Sequence, residues 1–225
     1  MSNARKIKPP NYENQEKRIW RKNAEEVVSK LDDRDKYILR KIDLYSWRFG
    51  VTKSEIEEEI RHNYMFANWF AIEPRRQGLH EKTAATWLQK HKDFIHDFLI
   101  LPKSGGEAVF VTSDGEIRKI KESKAKPSKT LDFKWRTGEY EVFAAHKYTK
   151  ESGGNQDSQF NEIRDLLGKF QKGSEKKNRV LLAIVDGAYY TDSKIEKLTK
   201  MTRDKPPKSY VANIGQVIDI LRKLK

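Results

Sequence analysis

Cysteine is absent from all 225 residues, which excludes disulfides, thiolate metal sites and cysteine nucleophiles and suits a reducing compartment. No apolar run approaches the roughly 20 residues that a helix needs to cross a bilayer, so no membrane association is expected. The opening stretch is basic and polar without the apolar core of an export signal, and the expected location is the cytoplasm. Without disulfides the fold rests on a buried core, and 225 residues suffice for one compact domain with a small helical extension. Acidic residues are the other shortage, 33 against 46 Lys and Arg, for a net charge of +13. A surplus of this size attracts polyanions, so nucleic acid is the first partner to consider. Charge alone does not separate a binder from an enzyme, and many basic proteins bind no nucleic acid.

Hydrophobic spacing predicts helices over 14–31 and 32–49, the first with Ile19, Trp20, Val27 and Val28 among charged neighbours. Gly50 ends the second. Thr52 is expected to N-cap a third helix running through Ile56 and Ile60 toward Tyr64, with Glu55 completing a capping box. This pattern has the outline of a helix-turn-helix, and two ordinary packed helices share it. Residues 1–72 therefore read as a helical subdomain for DNA recognition or dimerisation, and 73–225 as the main domain. A helix over 79–91 places Leu79, Ala84, Trp87 and Leu88 at helical spacing. The period then shortens to an apolar run at 98–101, a turn at 102–106, and strands 108–111 and 117–120 joined through Ser113, Asp114 and Gly115. Lysine-rich 121–129 reads as an exposed loop. A second hairpin joins strand 130–135 to strand 140–148 through Arg136, Thr137 and Gly138, the later strand being apolar enough to be central. A helix beginning near Asp157 carries Phe160, Ile163, Leu166, Leu167 and Phe170 on one face. Residues 179–186 read as a fully buried strand, followed by a helix at 193–201, a short strand at 209–211 and a closing helix at 214–224.

This order brings Asp132 to the start of one strand, and Ala145, His146 and Lys147 near the end of the next, across a hairpin. In element order and in Asp132 and Lys147, roughly residues 75–225 resemble the PD-(D/E)XK nuclease superfamily, and within it the type II restriction endonucleases. The resemblance implies an α/β (α+β) fold with an αβββαβ core, a central mixed sheet flanked by helices, and an N-terminal helical subdomain. It implies magnesium-dependent hydrolysis of phosphodiester bonds in double-stranded DNA at a short specific sequence. The chemistry needs a carboxylate to hold a divalent ion that neutralises developing charge and lowers the pKa of the attacking water. Asp132 is the choice, since an aspartate beside Leu131 and Phe133 is costly to bury unless paired or metal-bound; an edge-strand aspartate facing water is the plain alternative. Lys147 can orient the water and stabilise charge on the phosphate, or simply extend from a strand end.

The sequence departs from the family pattern at Ala145, where a glutamate or aspartate is usual. Resembling enzymes with a small residue there take the second carboxylate from the following helix, which implies Glu162, then Asp157, as metal ligands; both acids also suit a helix N-terminal region. The resemblance further implies a catalytic role for Glu81 on the helix before the sheet, a residue equally able to pair with Lys82 in solvent. Strand alternation turns His146 away from Lys147, so it is read as a core or supporting residue and not a base. In 150–159, glycines permit close backbone approach and Lys150, Asn155, Gln156 and Gln159 can contact DNA, although a flexible polar loop has the same composition. Arg75, Arg76, Gln77, Lys103 and Ser104 are candidate phosphate or base contacts. The stretches 186–190 and 210–214 also look like the tails of such enzymes. A palindromic target implies a homodimer, and the family implies a protecting DNA methyltransferase in the same system. Two other readings fit the residues: a structure-specific repair or junction nuclease, and a non-catalytic DNA-binding protein in which Ala145 marks a lost site.

Overall fold

The computed structural model describes residues 7–71, 78–124, 129–150, 154–173 and 178–225, with the backbone course alone at 154–156. By internal contacts the chain divides into a helical unit, Asn11–Thr83, and a sheet-containing unit comprising the rest.

The helical unit contains α1 (Tyr12–Asp32), α2 (Lys36–Phe49), α3 (Lys53–His62) and α4 (Tyr64–Phe70). Caps set its boundaries. The Asp35 side chain accepts the Tyr37 and Ile38 N–H groups, so α2 starts there and not at residue 32. Gly50, at φ +68°, ends α2. Thr52 and Glu55 form the expected capping box. Asn63 closes α3 and caps α4 through the Met65 and Phe66 N–H groups, which separates a short helix that spacing alone does not reveal. Val27, Leu31, Ile38, Ile42, Ile56, Ile60 and Phe70 form the core of this unit. Helix α5 (Leu79–Leu88) contains the division between Thr83 and Ala84.

The second unit is mixed α/β, with a five-stranded mixed sheet flanked by helices. Its strands are β1 (His96–Ile100), β4 (Phe133–Thr137), β5 (Tyr140–Tyr148), β6 (Arg179–Asp186) and β7 (Lys208–Ala212), in the order β1-β4-β5-β6-β7. β1, β4 and β5 are antiparallel neighbours, whereas β5, β6 and β7 run parallel. Parallel pairing requires crossovers, supplied by α6 (Gly154–Phe170) and α7 (Asp192–Thr199). β2 (Val109–Val111) and β3 (Ile117–Lys119) form a separate two-stranded hairpin, tied to the chain entering β4 by an isolated bridge between Phe110 and Thr130. β6 is buried at seven of its eight positions, as befits a strand covered on both faces. On one face α6 buries Ile163, Leu166, Leu167 and Phe170 with Phe143, Ala145, Leu181, Ala183 and Val185. The closing helix α8 (Val217–Leu224) follows a 3-10 turn at Ile214–Gln216 and buries Val217, Ile218, Leu221 and Leu224.

Several boundaries differ from the sequence reading. The strand expected over 130–135 is Phe133–Thr137, and the turn is made by Gly138 and Glu139, with Gly138 at φ +55°. Asp132 thus precedes its strand. Of the apolar run expected at 98–101, residues 98–100 lie in β1, an edge strand that leaves Leu99 and Ile100 exposed, because sheet order and not composition decides burial. The helix expected from Asp157 starts at Gly154, so residues 154–159 of the expected polar loop are helical. The helix expected over 79–91 stops at Leu88.

Candidate active site

Asp132 sits at a bulge. Phe133 is registered opposite Ala144, and the Asp132 N–H also donates to the Ala144 carbonyl at 2.8 Å, so two residues face one. Consequently Leu131 packs in the α6-side cluster with Ala145, while Phe133 places its ring beside His146. The bulge leaves the Asp132 carboxylate at the edge of β5, where Oδ2 accepts the His146 N–H at 2.8 Å. The Lys129 ammonium lies 3.3 Å from Oδ1 and 3.2 Å from Oδ2. At 3% exposure this carboxylate is charge-compensated and hydrogen-bonded, as a buried acid must be.

One residue beyond His146, Lys147 projects to the α6 side and its Nζ lies 2.7 Å from Oε2 of Glu162. Two further ties hold the start of α6 over the carboxyl ends of β5 and β6. The Thr149 hydroxyl donates to Gln159 Oε1 at 2.9 Å, and the Tyr189 hydroxyl donates to Asp157 Oδ1 at 2.5 Å. Burial, then the Asp157 hydrogen bond and charge, push the Tyr189 phenol up to about 12. Burial likewise holds Tyr190 near 12, with the Thr149 hydroxyl opposing it and the Glu162 charge adding to it. On the opposite face of β5, His146 Nε2 is 3.2 Å from Asp186 Oδ2, and Asp186 Oδ1 accepts the Ile214 N–H at 3.0 Å. His146 is 2% exposed, and this buried pairing suits the supporting role read from strand alternation.

Lys147 and Glu162 therefore meet, and Asp132 is anchored to the backbone one residue from Lys147. Asp157 is engaged by Tyr189 and Gln159 by Thr149. Lys103 and Ser104 lie exposed between β1 and β2, where the Lys103 carbonyl accepts from Thr130, and Lys150 is exposed just beyond β5. Glu81 stands in the first turn of α5, within the helical unit. Arg75, Arg76 and Gln77 lie outside the described residues, as do the side chains of Asn155 and Gln156. Lys129, Thr149 and Asp186 also belong to the site, beyond the residues that the sequence pattern singles out. The acid at the end of the most apolar strand signals Asp186, but Lys129 looks like any lysine of a polar loop.

Among the described residues no three His, Cys, Asp or Glu side chains converge as a metal cage. Magnesium does not require one, since it keeps several waters and takes one or two carboxylates with substrate phosphate. Asp132 and Glu162 fit that preference as hard oxygen donors, each holding a lysine ammonium whose charge a divalent cation can replace. Also among the described residues, no helix is long and apolar enough to cross a membrane. Compared with known proteins, the sequence matches no family model, and no curated protein matches it.

Proposed function

We propose that this chain is a magnesium-dependent endonuclease that cuts double-stranded DNA at a short specific sequence, in the manner of the type II restriction enzymes its motifs resemble. One observation carries the reading: a buried aspartate pinned to β5 one residue before a lysine, with a second acid from α6 on that lysine. Support also comes from the run β1, β4, β5, α6, β6, which follows the strand, strand, strand, helix, strand order of the PD-(D/E)XK core.

In this reading Asp132 and Glu162 would hold the ion, and Ala145 would contribute only space. Asp132 offers Oδ1, whose partner among the described residues is the Lys129 ammonium, while the His146 N–H fixes Oδ2. Bound magnesium supplies Lewis acidity and a water of lowered pKa. Lys147, which pairs with Glu162 in the structure, would donate hydrogen bonds to the attacking water and to the scissile phosphate once that acid turned to the ion, favouring the charge that develops on the phosphate. His146 and Asp186 hold the end of β5 from behind. The α3 helix carries Glu55, Glu57, Glu58 and Glu59, which oppose phosphate and count against its use as a groove-reading helix.

The test is digestion of a plasmid of known sequence by the purified protein, with magnesium and with chelator. Discrete magnesium-dependent bands are expected, and Asp132→Asn or Lys147→Ala should reduce cutting by about a hundredfold or more while retaining most DNA binding. Undiminished cutting by either variant overturns the site. Uncut plasmid that shifts on a native gel would instead identify a binding protein.

A further inference from the structure

The helical unit exposes more large apolar side chains than its core can explain. Trp47 is 85% exposed and Trp69 75%, with Leu44 and Phe49 each at 56%. A groove of about 230 Å³ lies among Lys41, Leu44, Arg48, Phe49 and Trp69. Spacing of three and four residues puts Tyr37, Arg40, Lys41, Leu44, Trp47 and Arg48 on one face of α2, opposite its buried Ile38 and Ile42. That face carries three cations, and its one acid, Asp43, three residues from Arg40 and four from Trp47, is paired with Lys53 at 2.6 Å. Lys41 lies 4.9 Å from the Tyr37 ring centroid and Arg48 5.9 Å from that of Phe49. α2 holds Lys36, Arg40, Lys41 and Arg48 against Asp43 alone, whereas α3 holds four glutamates, so α2 is the more basic of the two helices.

Exposed aromatic rings interleaved with fixed cations match a partner that offers flat apolar faces and negative charge together. We propose that this face binds single-stranded nucleic acid, with bases stacking on Trp47 and Trp69 and phosphates lying along Arg40 and Arg48. An unstacked strand presents both features in alternation, whereas a paired duplex hides its base faces and an acidic peptide has none to stack. The surface is independent of the cleavage chemistry and takes unpaired strands, not the duplex that the nuclease reading gives as substrate.

The experiment is fluorescence anisotropy of labelled oligothymidine of about 20 nucleotides, a length that spans several stacking positions, titrated with the whole protein in chelator. Trp47→Ala/Trp69→Ala should weaken binding at least about tenfold, because stacked bases are lost while charge is unchanged. Both side chains are mostly in solvent, and an unchanged circular dichroism spectrum confirms that the variant folds. Arg40→Ala/Arg48→Ala should weaken binding and flatten its salt dependence. Asp132→Asn should bind oligothymidine like wild type, which keeps this outcome separate from the fate of the nuclease reading. Equal affinity of the double-tryptophan variant overturns the proposal. So does displacement of oligothymidine by polyglutamate of equal charge, or a wild-type dimer that the tryptophan changes dissociate without altering oligothymidine binding.

Discussion

Gly187 adopts φ +96° where the chain leaves β6, and an added Cβ would lie 2.2 Å from the Thr149 carbonyl oxygen. That oxygen accepts the Tyr189 N–H at 3.1 Å, so the close approach is what draws the end of β6 against the end of β5. No side chain fits both the dihedral and the space. Gly187→Ala should lower stability by about 1–3 kcal/mol, seen as a thermal midpoint shifted down by several degrees. An unchanged midpoint would contradict this account of the strand ends. Asp132 shows the same economy of contacts: one bulge turns a residue expected within a strand into an edge carboxylate on the His146 N–H.

At the scale of elements, α6 both covers the sheet and delivers acids to its end. Asp157 accepts the buried Tyr189 hydroxyl, whereas Glu162 is half-exposed and ion-paired with Lys147. Their variants should therefore separate. Glu162→Ala is expected to lower cleavage by about a hundredfold with little change in melting, because the lost pair is partly in solvent. Asp157→Asn should retain cleavage but cost about 1–3 kcal/mol, since it weakens a charged hydrogen bond to a buried phenol. Parallel assays of cutting and chemical denaturation decide it, and the opposite pattern would assign the second ligand to Asp157.

For the whole molecule, the positive surplus is unevenly shared. Residues 11–83 hold 15 Lys and Arg against 14 Asp and Glu, leaving 31 against 19 in the remainder, so nearly all of the +13 belongs to the sheet-containing unit. Duplex DNA affinity should accordingly fall steeply with salt, by roughly ten- to a thousandfold between about 50 and 200 mM, if a handful of phosphates are neutralised. Anisotropy with a labelled duplex at several salt concentrations measures the slope. A flat profile would remove electrostatics as the main attraction and with it the reason for expecting a polyanion.

Residue order by itself determined most of the elements, because local physics writes them directly. The Thr52 and Glu55 cap, the apolar run that became β6, and the face of α6 bearing Ile163, Leu166 and Phe170 each follow from hydrogen-bond reach or from the match between hydrophobic period and backbone geometry. The opposite orientations of His146 and Lys147 followed from strand alternation. Tertiary structure alone decided which strand is an edge, hence the exposure of Leu99 and Ile100, since burial depends on neighbours distant in sequence. It alone brought Lys129 to Asp132, Asp186 to His146 and Glu162 to Lys147. Two of those pairs join residues far apart in the chain, and the third depends on a bulge whose register only the partner strand supplies, so no local pattern encodes them.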